Sequence, residues 1–384
     1  MTGPYKYPVA MLICLCLFSV VAAGQFRFSG QFSGFMQYAP DVYQDFSVAG
    51  RYIPQLNYKI PFNTEHLIDF EASANIFGSM DAALFEDAYF DHKVKAYRYW
   101  ARYSNARMEV RIGLQKINFG SAQMFRPLMW FDRMDPRDPL QLTDGVKALL
   151  GRYYFLNNAN IWVWGLYDNN DLKGYELTPV SKRRPEAGGR IQLPIPKGEA
   201  ALTYHYRMAD PASLFPPWSS TRPSFEEVGE HKVGFDFKIN AAAGFWLESS
   251  WTRFTRNLGI YTHQEMITAG TDYTFDAGNG LLATFEQSIY SYDQNAFEFA
   301  HNTTISALSL RYPLNAFDKI SAMVYRNWTN NDNYFFLNWE KEFNRFLFYV
   351  TGFWNPISYF LPGQTGGSNR FAGKGVQVMV VWNH

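Results

Sequence analysis

A strict alternation of apolar and polar residues, repeated along almost the whole chain, is the feature that most constrains the fold. After the first 24 residues the sequence reads QFRFSGQFSGFMQY, in which Phe26, Phe28, Phe32, Met36 and Tyr38 share one phase. Successive side chains of a β-strand point to opposite faces, so this segment predicts a strand with one apolar and one polar face. It is longer than the usual strand of a soluble sheet.

The same alternation returns throughout the rest of the sequence, and the pattern predicts eighteen strands in all. The further predicted strands are 52–60, 68–77, 97–103, 108–116, 146–155, 160–167, 189–195, 202–208, 231–240, 245–254, 265–275, 281–290, 304–312, 320–325, 334–343, 346–354 and 376–382.

The connections between these strands alternate in length. Every second connection is short, such as 196–198 and 344–345, whereas most of the others are long, such as 120–144 and 168–187. One end of the sheet therefore has tight turns and the other has extended loops, as in outer-membrane barrels. The prediction is an all-β, transmembrane, antiparallel up-and-down β-barrel. It has about eighteen strands, with sixteen as the alternative, and carries short periplasmic turns and long extracellular loops.

Composition excludes several other classes. Aromatic residues make up 18% of the chain, but charged residues also make up 18%, and the mean hydropathy is -0.26. A helical membrane bundle needs several long apolar runs, and a disordered chain needs far fewer aromatic residues. The charges balance at 35 of each sign, so no overall field attracts nucleic acid. A soluble β-sandwich is the alternative, but aromatic residues on one face of nearly every strand favour a lipid-facing barrel.

The single apolar run lies at the N-terminus. Lys6 precedes the apolar segment 11–22, which ends in small residues, and this order is typical of a secretory signal peptide. We predict a signal peptide over 1–24 and a barrel over 25–384. Cys14 and Cys16 would be lost with the signal, so the mature chain would have no disulfide, thiolate metal site or cysteine nucleophile.

The last predicted strand, 375–384, alternates and ends in Trp382, Asn383 and His384. It resembles the C-terminal recognition strand of bacterial outer-membrane barrels, which ends in an aromatic residue. The resemblance implies delivery to the barrel-assembly machinery. The two residues after Trp382 depart from that pattern.

The polar phase of the strands supplies candidate pore-lining residues. These are Asp69, Glu71, Arg98, Arg102, Glu109, Arg111 and Gln115 on early strands, and Arg190 across the barrel. Opposite charges on adjacent strands can simply pair and keep the wall hydrated. They can also set the transverse field that solutes meet.

The segment 120–144 is the longest early loop and combines alternating charges with large apolar side chains. Its charged candidates are Arg126, Asp132, Arg133, Asp135, Arg137 and Asp138. Because Phe125, Leu128, Trp130 and Phe131 would be costly to expose, we expect the loop to pack against the inner wall or rim.

The sequence around this loop resembles bacterial outer-membrane porins, including the porin-like and alginate-export-type barrels. The resemblance rests on the R-x-G-x-Q strand of Arg111, Gly113 and Gln115, on Gly120, and on the repeated Asp-Pro at 135–136 and 138–139. It implies an inward-folding loop that narrows the pore, with the loop charges near the constriction opposite the arginine wall. It also implies passive diffusion of small hydrophilic solutes across the bacterial outer membrane, in contact with outer-membrane lipid.

Other functions stay open. A solute- or oligosaccharide-specific channel could use Trp100, Trp130 and Trp246 as a stacking track, and a structural or secretion-complex subunit would have an occluded lumen. Ion selectivity and association as a homotrimer are also open. The seven His residues form no His-x-x-x-His or His-x-Ser pair. The sequence therefore predicts no enzyme, no cofactor and no metal site.

Overall fold

The protein is a closed β-barrel. In a computed structural model, residues 24–42, 45–83, 88–215, 225–357 and 370–384 are described. They form one sheet of eighteen strands, in which each strand pairs antiparallel with its neighbours in sequence. The first strand also pairs with the last, placing Phe32 opposite Trp382, and this pairing closes the sheet. The predicted fold class and strand number are confirmed. The predicted signal peptide lies outside the described residues, apart from Gly24.

The strands are β1 Gln25–Tyr38, β2 Phe46–Pro61, β3 Leu67–Ala82, β4 Tyr89–Ser104, β5 Met108–Gln115, β6 Val146–Tyr154, β7 Asn160–Leu166, β8 Glu186–Ile195, β9 Gly198–Ala209, β10 Val228–Asn240, β11 Gly244–Phe254, β12 His263–Phe275, β13 Leu281–Asp293, β14 Asn302–Pro313, β15 Asp318–Asn327, β16 Asp332–Phe343, β17 Phe346–Trp354 and β18 Lys374–Asn383. A short 3₁₀ helix, Pro211–Leu214, precedes β10.

Strands β2, β3 and β4 are longer than the sequence predicts. Each has 16 residues, and each extends past its alternating segment at the long-loop end. Alternation is required only where one face meets lipid. A strand end above the apolar band can therefore continue in the sheet without the pattern.

The two faces of the barrel differ as the alternation predicts. Outward side chains are apolar and exposed, among them Val94 (70%), Val163 (61%) and Ile112 (59%). Inward side chains include Glu248 and Glu286, which are fully buried. The described part of the chain contains no helix with the length and apolar character needed to span a membrane.

The apolar core of the molecule lies inside the barrel. Phe119, Trp130 and Phe131 from the β5–β6 loop pack against Leu150 and Trp164 on the inner wall. Each large side chain buried in this way contributes about 1.5–3 kcal/mol. The barrel interior is thus partly filled by its own loop.

Candidate functional site

Two glycine residues allow the chain to leave the sheet and enter the β5–β6 loop, residues 116–145. Gly113 has φ 121, and a Cβ there would lie 2.2 Å from the Tyr99 carbonyl oxygen. Gln115 is fully buried, and its Nε2 donates to the carbonyl oxygen of Ala148 at 2.9 Å. Gly120 has φ 96, and a Cβ there would lie 2.4 Å from Glu248 Oε2. The loop therefore crosses to the opposite wall directly after β5.

Glu286 on β13 anchors the first part of this loop. Its carboxylate accepts hydrogen bonds from the backbone N–H groups of Gln123 (2.6 Å), Met124 (3.0 Å) and Phe125 (2.7 Å). The indole N–H of Trp246 also donates to it, at 3.0 Å. Charge-assisted hydrogen bonds of this kind are stronger than neutral ones, so one side chain fixes three consecutive loop residues.

Glu248 on β11 is a second anchor. It accepts from the backbone N–H groups of Ala122 (2.9 Å) and Leu128 (2.7 Å). Beside it, the Trp130 indole N–H donates to Ser250 Oγ at 2.9 Å. These contacts join residues more than a hundred positions apart and hold the loop against the wall formed by β10 to β13.

Glu248 and Glu286 lie in the polar phase of their strands, but they were not among the residues predicted from the sequence. In register, Glu286 lies opposite Gly270 on β12 and Ala307 on β14, so neither of its paired positions carries a cation. An inward carboxylate flanked by small residues is the signal that could have revealed the anchor. The small neighbours leave room for a loop, and the carboxylate needs donors from somewhere else.

The second half of the loop crosses the lumen to another wall. The Arg137 guanidinium lies over the rings of Phe336 (5.5 Å) and Phe371 (5.3 Å), close to β16 and the start of β18. Leu140 packs with Tyr349 and Met379 on β17 and β18. The loop therefore spans the interior from the β10–β13 wall to the β15–β18 wall.

The predicted loop charges do not all face an open passage. Arg126, Asp132 and Arg137 are buried, whereas Arg133, Asp135 and Asp138 are half-buried. Asp135 accepts from Nε and Nη2 of Arg137 at 2.6 and 2.5 Å. Contrary to the prediction from the sequence, the six charged loop residues therefore do not all line the constriction. Some of these side chains stabilise the turns of the loop itself.

Asp138 lies away from the arginines that the sequence analysis placed opposite it. Its carboxylate accepts from the Leu140 backbone N–H at 2.9 Å, and the cations acting on it are Arg370 and Arg51. Burial raises the pKa of the Asp138 carboxyl above its ordinary value. Asp138 therefore belongs to the part of the lumen bounded by β2 and the residues before β18.

The predicted wall on β3 to β5 is brought together. Arg102 binds Asp69 through Nε (2.8 Å) and Nη2 (2.7 Å). Glu109 receives three guanidinium groups, from Arg102 at 3.4 Å, Arg111 at 3.0 Å and Arg152 at 3.6 Å. The side chains of Arg102, Arg111 and Arg152 keep 25%, 15% and 16% of their surface exposed, so this wall faces water.

Other predicted pore-lining residues are used differently. Arg98 is buried and donates to the carbonyl oxygen (2.8 Å) and hydroxyl (3.0 Å) of Thr143, which fixes the end of the loop. Arg190 pairs with Asp236, and both side chains are almost fully buried. Gln115 is buried as described above, whereas Glu71 stays half-buried on the open wall. Inward direction alone did not distinguish an open wall from one covered by a loop.

A second loop, residues 167–185, also enters the barrel, and the sequence analysis did not foresee it. Glu176 is buried between Lys173 (3.4 Å), Arg207 (3.3 Å) and Lys232 (3.2 Å). Burial favours its neutral acid, but the attraction of the three cations outweighs burial and holds the pKa of the Glu176 carboxyl below its ordinary value. A carboxylate in the loop thus binds cations on the wall.

Two recesses next to the inserted loops lie along β2 to β6. One recess of about 260 Å³ is lined by Arg51, Lys93, Tyr97 and Asp138, among others. A second, of about 370 Å³, lies between both loops and is lined by Lys95, Arg133 and Asp144, among others. Both recesses are bordered by charged side chains of both signs.

Comparisons with solved structures agree with this architecture. The barrel is similar to OccAB1 of Acinetobacter baumannii, with a TM-score of 0.56 and 10% identity over 95% of this chain and 96% of that one. It is also similar to OmpT of Vibrio cholerae (TM-score 0.51, 11% identity, 94% and 100% covered). A third is an anion-selective porin from Comamonas acidovorans (TM-score 0.50, 12% identity, 94% and 100% covered). The chain has the fold of an outer-membrane porin. No protein-family model matches the sequence, and no curated protein matches it.

Within this porin barrel, the stacking track considered for a sugar-specific channel is not formed as the sequence suggested. Trp130 and Trp246 are each only 3% exposed, because Trp130 belongs to the β5–β6 loop and packs against the wall, and Trp246 lies beneath that loop. Trp100 is half-buried beneath the guanidinium of Arg111, at 4.7 Å. No cluster of three or more His, Cys, Asp or Glu side chains among the described residues is arranged to hold a metal ion.

Weakening the anchor Glu286 on β13 should loosen the first part of the β5–β6 loop. In Glu286→Gln, the neutral amide is a weaker acceptor for three loop N–H groups, so the amides of residues 123–125 should exchange with solvent at least about tenfold faster. Hydrogen–deuterium exchange measures this directly. Glu340→Gln is the control, because Glu340 forms its ion pair with Lys319 on the neighbouring strand rather than with the loop. Equal exchange in both variants would show that Glu286 does not hold the loop.

The buried carboxyl group of Asp132 should lower the stability of the folded barrel in a pH-dependent way. Neither of its carboxylate oxygens has a hydrogen-bond partner among the described residues, and burial raises the pKa of its carboxyl. Because the folded pKa is above the unfolded one, the folded protein is favoured at low pH and loses stability as the pH rises through the ordinary value of about 4. We expect Asp132→Asn to stabilise the barrel at pH 8 by about 1–3 kcal/mol.

The stabilisation should vanish near pH 3, where both proteins are neutral at this position. Thermal unfolding followed by circular dichroism at the two pH values measures the difference. Asp171→Asn is the control, because Asp171 is exposed in the other inserted loop. A stabilisation that is the same at both pH values would contradict the charge-burial explanation.

Proposed function

We propose that the protein is an outer-membrane porin, an aqueous channel for passive diffusion of small hydrophilic solutes across a bacterial outer membrane. The observation that carries the proposal is the asymmetry of the lumen. The inserted loops cover the wall of β7 to β13, while Arg102, Glu109 and Arg111 on the other side remain partly exposed to water. A barrel of eighteen strands encloses a lumen wide enough to hold water beside such loops.

Recording from planar bilayers tests this proposal. The refolded protein should insert with stepwise increases in conductance. Folding is checked independently by the heat-dependent change in gel migration that closed barrels show. A folded barrel that leaves the bilayer silent would contradict the channel function. In that case, a stoichiometric protein partner co-purifying with the barrel would point to the structural or secretion-complex alternative.

A solute-specific channel is the second candidate, and the insertion of residues 167–185 favours it. Two loops anchored in one lumen, the second through Glu176 and Lys232, leave a narrower passage than one loop would. A narrow, charged passage selects among solutes by size and charge. Concentration-dependent block of ion current by one solute, with none by others of equal size, would support this candidate over the general porin.

We further propose that residues 375–384 are read by the barrel-assembly machinery, with the His384 ring contributing on the outer face beside Trp382. The backbone of His384 exchanges hydrogen bonds with Gly30 at 3.1 and 3.0 Å, so the strand pairing continues past Trp382 to His384. Its ring stacks on Tyr52, with centroids 6.0 Å apart. His384 thus occupies the outward phase of Trp382. Assembly of His384→Phe at the wild-type level and loss of assembly in His384→Asp would support this role.

Two further expectations belong to the same proposal. Residues 1–24 are proposed as a signal peptide, and sequencing the N-terminus of the exported protein tests the cleavage site.

A homotrimer is proposed because the similar OmpT barrel of Vibrio cholerae was solved as a trimer form. Crosslinking in native membranes would yield a trimer if it exists and only monomer if it does not.

A further inference from the structure

A cluster of cations lies on the rim of the barrel at the long-loop end of β8 to β11. We call it the rim patch. It consists of five exposed side chains: Lys182, Arg183, Arg184, Arg253 and Arg256. The chain as a whole has 35 cations and 35 anions, so this concentration of one sign is local rather than a consequence of composition.

The backbone brings these residues to one stretch of rim. Val180 forms a β-bridge with Ala209 at the end of β9, and the next residue donates its N–H to the Met208 carbonyl oxygen at 2.8 Å. Ala209 in turn lies opposite Val228 on β10. The Thr255 N–H, just after β11, donates to the Gly229 carbonyl oxygen at 2.8 Å. Two strands, β9 and β10, therefore separate the segment 182–184 from 253–256.

A row of aromatic rings on the outer face indicates the level of the rim patch relative to the membrane. His231 pairs in register with Arg253 of the patch on one side and with Tyr206 on the other. The Tyr204 hydroxyl lies 2.8 Å from His231 Nδ1, and the ring centroids of Tyr206 and His231 are 4.9 Å apart. Amphipathic rings concentrate at the boundary between hydrocarbon and water, so this row marks that boundary.

Apolar side chains continue below the aromatic row toward the other end of the barrel. Leu202 on β9 is 57% exposed, and its partner Ile191 on β8 is 50% exposed, both on the outer face. The order along the outer surface is therefore apolar, aromatic and then basic. This order places the rim patch at the level of lipid headgroups, above the long-loop side of the hydrocarbon layer.

Nearby carboxylates neutralise only part of the patch. Glu227 binds Arg184 through Nη2 at 2.8 Å and Nε at 3.1 Å. Glu226 and Asp210 are the other carboxylates on this stretch of rim, and Asp210 accepts from the Ala212 N–H. Within the described residues, Lys182, Arg183, Arg253 and Arg256 make no salt bridge, so most of the patch keeps its charge for an external anion.

We propose that the rim patch binds the phosphate groups of lipid headgroups in the outer leaflet, next to the barrel. Arginine forks match phosphate geometry, and each cation at a charged membrane surface adds to the attraction. Arg183 has φ 61 and lies in a turn in which the Arg184 N–H donates to the Ser181 carbonyl oxygen at 3.1 Å, so the three consecutive cations share one turn of the rim. The patch thus presents several cationic donors along one stretch of the rim.

The test uses the full-length refolded barrel in detergent, with diphosphorylated lipid A as the probe and binding followed by native mass spectrometry. The triple variant Lys182→Gln, Arg183→Gln, Arg184→Gln should bind the probe at least about tenfold more weakly. The matched control is Lys197→Gln, Lys341→Gln, Arg345→Gln, which removes three cations from the short-turn rim. One cation is paired in each set, because Lys341 binds Asp318 as Arg184 binds Glu227.

Three outcomes would overturn the proposal. The first is equal binding of lipid A by the triple variant and the wild type. The second is equal binding of lipid A from which both phosphates have been removed, which would assign the contact to acyl chains. The third is displacement of the lipid by millimolar inorganic phosphate, which would indicate a site for a free anion. If the triple variant fails to fold, Arg253→Gln, Arg256→Gln replaces it, with the same expectation.

Discussion

Replacing residues 129–138 with ten Gly and Ser residues is expected to raise single-channel conductance about twofold or more, since this segment crosses the lumen. Met129, Trp130 and Phe131 at its start are buried inside the barrel, and Arg137 near its end reaches the rings of Phe336 and Phe371. The ten-residue linker keeps the chain long enough to reach β6. Removing these side chains therefore opens the passage without cutting the loop.

The anchors at Glu248 and Glu286 hold residues 122–128 and are untouched by this change, so the barrel should still fold. The control replaces the exposed turn 276–279 with Gly and Ser, outside the lumen. Planar-bilayer recording compares the three proteins. If the folded loop variant conducts like the wild type, the solute path does not run past this segment and the loop has another role.

The second large effect expected is a change in ion selectivity. The double variant Arg111→Glu, Arg152→Glu reverses two of the three guanidinium charges around Glu109. Counter-ions in a narrow aqueous passage respond to these charges over several ångströms, so the permeability ratio should shift toward cations by about fivefold. The reversal potential in a salt gradient measures the shift, which should be larger at low ionic strength because screening is weaker.

Arg111 and Arg152 test the charge of this wall more cleanly than Arg98 would. Arg98 holds Thr143 through two hydrogen bonds, so changing it would also release the loop, whereas Arg111 and Arg152 contact the wall itself. The control is Lys341→Glu, Arg345→Glu, which makes the same charge change at the short-turn rim. An equal shift in both variants would assign selectivity to the overall charge of the protein rather than to this wall.

The strand pattern was predictable because each strand records its two environments locally. In β1, Phe32 and Met36 face outward, while Ser33 and Gln37 face inward and are buried. Lipid on one side and a polar lumen on the other impose a period of two that can be read without knowing any neighbour. The ends of β2 to β4 were missed because, above the apolar band, the two environments are no longer different.

The inward packing of the β5–β6 loop was also predictable, from the large apolar residues it carries. Its destination was not. Glu286 binds the backbone of Gln123, Met124 and Phe125, and a backbone N–H carries no residue-specific signal in the sequence.

The sequence by itself therefore determined the barrel, its strand number and the polar lining of its interior, because alternation is a local property. Only the tertiary structure decided which lining residues stay open to water. Arg190 and Arg111 have the same inward phase, yet Arg190 is buried against Asp236 and Arg111 faces the passage. The difference arises because two loops, positioned by contacts between residues far apart in sequence, cover one wall and leave the other exposed.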